Sequence, residues 1–258
     1  VVPNPVANAG ADVSICRGSL TTLSASGGFT YLWSNGSTVA DNNQVAPLST
    51  TTYVVTVTNK EGCSATDAVV VSVKDVPVVN AGIDFAVCEG IGANLSATGA
   101  TTYVWSTGQQ GNTITVTPAA TTTYAVVGTT NGCSAADTIT VTVKTAPKPT
   151  ITPSSSICAG QKVTLVAGGG DSYVWSTGSN GSSIDVQPTQ TSVYAVTVTN
   201  LEGCRAVAQT VVTVIAAPIV SLSPNITLCK GGNATLQAGG GTTFSWSTGE
   251  KTAAIVVA

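Results

Sequence analysis

Apolar and polar residues alternate along several stretches of the chain. In residues 194–199 and 138–143, tyrosine, valine or isoleucine occupies every second position, and alanine or threonine fills the positions between. This period of two is typical of β-strands with one buried face, and no stretch shows a competing helical period. Short turns rich in Asn and Gly, with the sequences TNKEGC, TTNGC and TNLEGC, join pairs of such strands as hairpins. The pattern therefore predicts an all-β chain.

A period of about 71 residues organises these strands. A first-position cysteine precedes each tryptophan by 17 residues, giving the pairs Cys16 and Trp33, Cys88 and Trp105, Cys158 and Trp175, and Cys229 and Trp246. A second-position cysteine follows later in three of the copies, as Cys63, Cys133 and Cys204. We predict four tandem repeats: 1–75, 76–145, 146–216 and 217–258. The fourth lacks the later proline, tyrosine and second cysteine, so we expect it to be truncated before its last two strands.

Each repeat contains six or seven short strand patterns, which predict a two-sheet immunoglobulin-like β-sandwich, three complete and one truncated. In such sandwiches the third strand carries a buried Trp, and a Tyr packs at the start of the penultimate strand. We therefore assign seven aromatic residues to the core: Trp33, Trp105, Trp175, Trp246, Tyr53, Tyr124 and Tyr194. The alternative, a tryptophan that stacks on sugar, is weaker because each repeat has one Trp and needs a core. Gly128 replaces an inward valine beside a shortened turn, which predicts a β-bulge in repeat 2.

Composition and charge exclude several functions. Charged residues make up 8% of the chain and the net charge is −3, so we expect no nucleic-acid partner and no polybasic membrane anchor. No apolar run of about 18 residues is present, so we expect no membrane span here and any targeting segment outside this chain. Catalytic and phosphate-binding motifs are missing, the acidic residues are scattered, and histidine is absent. We therefore expect no enzymatic activity, no metal and no cofactor.

The cysteines are better explained by disulfide bonds than by zinc or a catalytic thiol, because the chain has neither a CxxC pair nor a histidine. We predict that Cys16, Cys63, Cys88, Cys133, Cys158, Cys204 and Cys229 form such bonds. One arrangement pairs cysteines within a repeat, as in Cys16–Cys63, Cys88–Cys133 and Cys158–Cys204. The other joins neighbouring repeats, as in Cys16–Cys133 and Cys88–Cys204, because a seven-strand sandwich places its two cysteines at opposite ends. We favour bonds within repeats. The connection from Trp105 to Ile114 is too short for a further strand, and the omission of that strand would bring the two cysteines of a repeat to the same end. Both arrangements require an oxidising compartment outside the cytoplasm.

Repeat 3 carries a recognisable series of motifs, C-x-G-x(3)-TL-x-A-x-G, WS-x-G, V-x-P-x(5)-Y and N-x-x-G-C. They are formed by Cys158, Gly160, Thr164, Leu165, Ala167, Gly169, Trp175, Gly178, Val186, Pro188, Tyr194, Asn200, Gly203 and Cys204. The series resembles the bacterial Ig-like and PKD-like repeats of large surface proteins, especially in gram-negative bacteria with type IX secretion, and it covers essentially the whole chain. PKD domains proper often carry an acidic WxFGDG-like motif where this chain has STG, so any role of those acidic residues does not carry over. The resemblance implies export, surface location and mechanical or adhesive work, and names no ligand.

Three functional hypotheses follow. The first is a non-enzymatic extracellular structural protein that forms the stalk of a cell-surface adhesin or appendage. The second is a filament subunit that polymerises by β-strand complementation between copies. The third is a carbohydrate-binding or spacer module of a secreted protein, which requires exposed aromatic side chains on one face. The expected partners are neighbouring repeats of the same chain or other copies of it, and surface glycans under the third hypothesis.

Overall fold

The computed structural model describes residues 2–258. These residues form only strands, turns and loops. The chain divides into two compact units, one that ends at Lys144 and one that comprises Thr145–Ala258. The first contains repeats 1 and 2, and the second contains repeats 3 and 4.

Repeat 1 is a sandwich of a four-stranded sheet and a two-stranded sheet. Its strands are β1 (Val13–Cys16), β2 (Thr21–Leu23), β3 (Thr30–Trp33), β4 (Asn43–Val45), β5 (Thr51–Thr58) and β6 (Ser64–Lys74). The larger sheet has the order β1-β6-β5-β3, and the smaller sheet pairs β2 with β4. The first strand is parallel to the last, whereas the other pairs are antiparallel. This topology is that of an immunoglobulin-like domain without a strand between β3 and β4.

Repeats 2 and 3 repeat this architecture. Repeat 2 contains β7 (Phe85–Cys88), β8 (Ala93–Ser96), β9 (Thr102–Trp105), β10 (Thr113–Val116), β11 (Thr122–Thr130) and β12 (Cys133–Lys144). Repeat 3 contains β13 (Thr150–Thr152), β14 (Ser155–Cys158), β15 (Val163–Gly168), β16 (Ser172–Trp175), β17 (Ser183–Val186), β18 (Ser192–Thr199) and β19 (Arg205–Ile215). The larger sheets have the orders β7-β12-β11-β9 and β14-β19-β18-β16. In repeat 3 an additional strand, β13, joins the smaller sheet.

Repeat 4 consists of one three-stranded sheet. Its strands are β20 (Ser221–Leu222), β21 (Ala234–Gly239) and β22 (Ala254–Val257), paired in that order. Within residues 217–258 no four-stranded sheet faces it. Trp246 is consequently only partly buried.

The predicted bulge at Gly128 is wrong. The hairpin β11–β12 keeps one continuous register from the pair Thr122 and Val141 to the pair Thr130 and Cys133. Only Asn131 and Gly132 remain in the turn, and both have positive φ, 53° and 85°. Two such residues form the tight turn that matches the twist of a hairpin, so the shortened turn needs no extra residue in the strand.

Candidate functional site

A disulfide bond joins repeats 1 and 2. Cys16 is bonded to Cys133, 117 residues later in the chain, and their Cα atoms are 5.7 Å apart. Cys16 is the last residue of β1, and Cys133 is the first residue of β12. The bond therefore links the first-position cysteine of one repeat to the second-position cysteine of the next.

Strand pairing fixes where Cys16 lies. Because β1 is parallel to β6, Cys16 pairs with Lys74, the last residue of repeat 1's final strand. The backbone N–H of Arg17 donates to the Lys74 carbonyl at 2.8 Å, and its guanidinium forms an exposed 2.8 Å salt bridge to Asp75. The disulfide is consequently anchored beside the peptide segment that leads from repeat 1 into repeat 2.

The predicted bond between Cys16 and Cys63 within repeat 1 is wrong. Cys63 precedes β6, whereas Cys16 lies at the opposite end of that strand. Ten residues of extended strand separate these ends by about 33 Å, and a disulfide requires Cα atoms within about 7 Å. A strand between β3 and β4 is indeed missing, but this omission leaves the pairing of β1 with β6 unchanged. The same fact contradicts the Cys88–Cys133 pairing, because Cys133 is bonded to Cys16.

The remaining cysteines fall into two groups. Cys88 and Cys204 are disulfide-bonded as well. Cys63, Cys158 and Cys229 are free thiols within residues 2–258, so the predicted Cys158–Cys204 bond is wrong as well, whereas Cys229 was expected to have no partner within this chain. Cys63 is partly buried, whereas Cys158 and Cys229 are exposed.

The recurrent tryptophans are packed between the sheets. Trp33, Trp105 and Trp175 are at most 2% exposed. Each donates its indole N–H to the backbone carbonyl six residues later, at 2.9–3.0 Å, and Trp246 makes the same bond to Thr252 at 2.8 Å. This hydrogen bond satisfies the one polar atom of the buried ring, so the indole has no free polar group with which to bind a ligand.

The other aromatic residues complete these cores. Tyr53 and Tyr124 are buried and Tyr194 is partly buried. Phe29 is the aromatic side chain in residues 2–258 that is mostly exposed, at 63%, and the Lys60 ammonium lies 5.3 Å from the centre of its ring. A single ring covered by a lysine does not form a stacking platform.

Carboxylates serve structural purposes in repeats 1 and 2. Asp67 accepts a 2.8 Å hydrogen bond from the backbone N–H of Ala9, and Asp137 accepts the equivalent bond from Ala81. These backbone N–H groups stabilise the charged form and lower the pKa of both carboxyl groups. No group of three His, Cys, Asp or Glu side chains in the described part of the chain could hold a metal ion. Residues 2–258 also contain no helix able to span a membrane.

Comparison with known proteins gives only structural neighbours. No protein-family model matches the chain, and no curated protein matches it. A three-domain Ig fragment of titin, an E-to-A mutated variant, is 11% identical over 83% of this chain and 98% of its own, with a TM-score of 0.41. The eight N-terminal Ig domains of Down Syndrome Cell Adhesion Molecule are 17% identical over 93% of this chain and 40% of theirs, with a TM-score of 0.37. Drosophila OTK extracellular domains 3–5 are 11% identical over 82% of this chain and 95% of theirs, with a TM-score of 0.30.

At these identities and TM-scores the likeness carries no argument about function. The assignment of immunoglobulin-like repeats rests on the order of the strands and the buried tryptophans. The chain is thus a disulfide-containing tandem of immunoglobulin-like β-sandwiches.

Proposed function

We propose that this chain is an extracellular structural protein that forms the stalk of a cell-surface adhesin or appendage. The observation that carries the proposal is the Cys16–Cys133 bond. It adds a second covalent connection between consecutive repeats, beside the peptide junction that contains Asp75. A module whose work is to bind one ligand does not need such a link, whereas a load-bearing array benefits from it.

The bond changes how a pulling force passes through the chain. Force applied at the N-terminal side enters through β1, reaches Cys16 and passes through the two sulfur atoms to Cys133. Residues 17–132, which include most of repeats 1 and 2, lie outside this path. These residues cannot be extended while the disulfide is intact, so loss of the fold of repeats 1 and 2 does not release them to lengthen the stalk.

Single-molecule force spectroscopy tests the proposal. The variant C63S/C158S/C229S removes the free thiols and prevents adventitious cross-links. We expect its fully extended length to increase by at least about 400 Å when the disulfides are reduced and alkylated, because 116 residues at about 3.5 Å each become extensible. The variant C16S/C133S should also extend further than the oxidised parent. Equal lengths before and after reduction would refute the load-bearing role.

Location outside the cytoplasm is part of this proposal. Disulfides form and persist in oxidising compartments, and a surface rich in Thr and Ser with 8% charged residues suits an exported protein. A bacterial cell surface and export by type IX secretion are supported by the motifs of repeat 3. Fractionation of the source cells, followed by detection of the chain in the surface fraction, tests both.

A second candidate, the filament subunit, is favoured by one observation in repeat 4. The open side of its sheet forms a groove of about 380 Å³ lined mainly by apolar side chains: Leu222, Ile226, Leu228, Leu236, Trp246 and Val257. In the other repeats the equivalent tryptophan lies on a strand that pairs with the hairpin of the last two strands. Under this candidate a second copy donates strands to the groove. Sedimentation velocity tests it: concentration-dependent polymers that W246A abolishes support the filament, and a monomer at all concentrations rejects it.

A carbohydrate-binding role has the least support. It requires exposed aromatic side chains along one face, and Trp33, Trp105 and Trp175 are buried in the cores of repeats 1 to 3, with the tyrosines packed in or against those cores. Surface glycans are a proposed partner only under this third hypothesis.

A further inference from the structure

The hairpin that carries Cys63 has the same construction as the hairpin that carries Cys204. In both, the backbone N–H of the cysteine donates to an Asn side chain four residues earlier at 2.9 Å, and the Asn N–H donates back to the cysteine carbonyl at 3.0 Å. The Asn amide also donates to the entry segment of its repeat, from Asn59 to Pro3 and from Asn200 to Thr145. The backbone around Cys63 is thus held in the conformation of its counterpart.

The second-position cysteines of repeats 2 and 3 differ from Cys63 in bonding and burial. Cys133 and Cys204 are disulfide-bonded and at most 1% exposed, whereas Cys63 is a partly exposed free thiol. Cys133 is buried at the end of repeat 2 where it is bonded to Cys16. Cys63 therefore occupies the same structural position without the residue that completes it.

We propose that Cys63 is a cross-linking site, and that its partner is the first-position cysteine of another repeat of this same type. Such a repeat packs against the end of repeat 1 formed by Pro3, Asn59 and Lys60. The inference rests on the proposed function, because it extends the disulfide-linked array by one junction, and it specifies the partner by its chemistry.

The Cys16 end of repeat 1 shows what the partner presents. A first-position cysteine ends a strand that is parallel to the last strand of its repeat, so its thiol lies at the end from which the chain leaves. Cys158 has this geometry as well, paired with Ile215. A second-position cysteine lies at the other end of its repeat, so a bond between two second-position cysteines would join repeats head to head and break the order of the array.

The bond forms by thiol–disulfide exchange with a small-molecule disulfide or a disulfide-carrying oxidoreductase of the oxidising compartment. The Cys63 thiolate attacks one sulfur of that disulfide and releases the other as a thiolate. The incoming first-position thiolate then attacks the Cys63 sulfur and releases the second reagent thiolate. Two cysteine thiols are oxidised, one disulfide is reduced, and two protons are transferred to the released thiolates.

Disulfide mapping of the protein from its natural source tests the proposal. Free thiols are alkylated in denaturant without reduction, the protein is digested, and the peptide containing Cys63 is identified by mass spectrometry. We expect it to be linked to a peptide in which the cysteine precedes a TL-x-A-x-G motif. This motif follows the first-position cysteines of repeats 1, 3 and 4, and repeat 2 has NLSATG in its place. An alkylated Cys63, or a Cys63 linked to a cysteine that follows Asn-x-x-Gly, would overturn the proposal.

The denatured mass distinguishes the source of the partner. If the first-position cysteine belongs to another copy, the non-reduced mass exceeds the reduced mass by whole chains; if it belongs to the same polypeptide, the two masses agree. Incubating the purified 258-residue chain with oxidised glutathione adds a matched control. C63S should lose the oligomer linked through Cys63, and so should C158S/C229S, which removes the free first-position thiols; oligomers that C63S retains are linked through Cys158 or Cys229 alone. If Cys63 is linked as expected but reduction leaves the extended length of the chain unchanged, the load-bearing function is rejected and the cross-link proposal is retained.

Discussion

At the scale of single residues, repeats 1 and 2 place a larger and a smaller residue side by side, but at opposite positions of the pair. In repeat 1, Gly28 lies against Val57, and in repeat 2 the equivalent residues are Ala100 and Gly128. A Cβ atom on Gly128 would lie 2.5 Å from the Val79 side chain and 2.7 Å from the Ala100 side chain. Gly128 therefore compensates for larger neighbours, which explains its presence in an otherwise regular strand.

This compensation predicts the effect of restoring the valine. Gly128→Val should destabilise repeat 2 by about 1–3 kcal/mol, because the core cannot accept the added volume. The triple variant V79A/A100G/G128V recreates the residues of repeat 1 and should recover most of that loss in urea unfolding followed by tryptophan fluorescence. Losses that simply add across the three substitutions would show that the positions are independent.

Asp67 and Asp137 make stability depend on pH. Backbone N–H groups lower the pKa of each carboxyl group in the folded state below its ordinary value near 3.8. The charged form therefore contributes stability that is present above the unfolded pKa and is lost as pH falls through the folded pKa. Wild type should exceed D67N/D137N in thermal midpoint at pH 6, and the difference should shrink as pH falls from about 5 to 2. A difference that stays constant with pH would contradict the charged role. Repeat 3 has Ala208 at the equivalent position, and Q209A beside it is a control that removes no carboxylate and should show no such pH dependence.

At the scale of elements, the segment that enters each repeat closely approaches a glycine in the turn that precedes the tryptophan. Gly99 has a φ of 93°, and a Cβ there would overlap the backbone carbonyl of Val78. Gly27, Gly169 and Gly240 make the equivalent contact in the other repeats. The glycine-rich turns that precede the tryptophans are therefore required by chain packing.

A pair of substitutions separates close packing from backbone strain. Gly108 has a similar φ of 81°, but a Cβ there would meet nothing within 4 Å. Gly108→Ala should cost about 1–2 kcal/mol, the price of a left-handed non-glycine residue. Gly99→Ala should cost at least about twice as much in the free energy of unfolding measured in urea. Equal costs would show that the approach of Gly99 to Val78 has no energetic importance.

The strands were predictable because their signal is local. Alternation along residues 138–143 identifies a half-buried strand from its own sequence, and the recurring spacing from cysteine to tryptophan identifies the repeat. The sequence indicated both Cys63 and Cys133 as candidate partners of Cys16, and the choice between them was not predictable in this way, because it depends on the parallel pairing of β1 with β6. Nothing in the four residues of β1 indicates which neighbour or direction they select. The register of β11–β12 likewise depends on the φ angles of Asn131 and Gly132, and the composition of the turn alone permitted a bulge.

At the scale of the whole molecule, covalent links supplement small cores. A repeat of about 71 residues buries limited apolar surface, and domains of this size are marginally stable. The Cys16–Cys133 bond closes a loop with a sequence separation of 117 residues. In the chain-entropy model such a closure disfavours the unfolded chain by about 5 kcal/mol. The link between repeats thus contributes as much stability as a small core supplies.

Removal of this bond provides the corresponding test. C16S/C133S should lower the free energy of unfolding of repeats 1 and 2 by about 2–5 kcal/mol, because the unfolded chain regains the entropy of the open loop. Urea unfolding followed by tryptophan fluorescence, with Trp33 and Trp105 as the reporters in these repeats, measures the change. C63S is the matched control, because it replaces a thiol that is free within the chain and should leave the transition unchanged. If C16S/C133S unfolds at the same urea concentration as C63S, the bond does not stabilise the folded repeats, and its role is confined to holding the chain together under load.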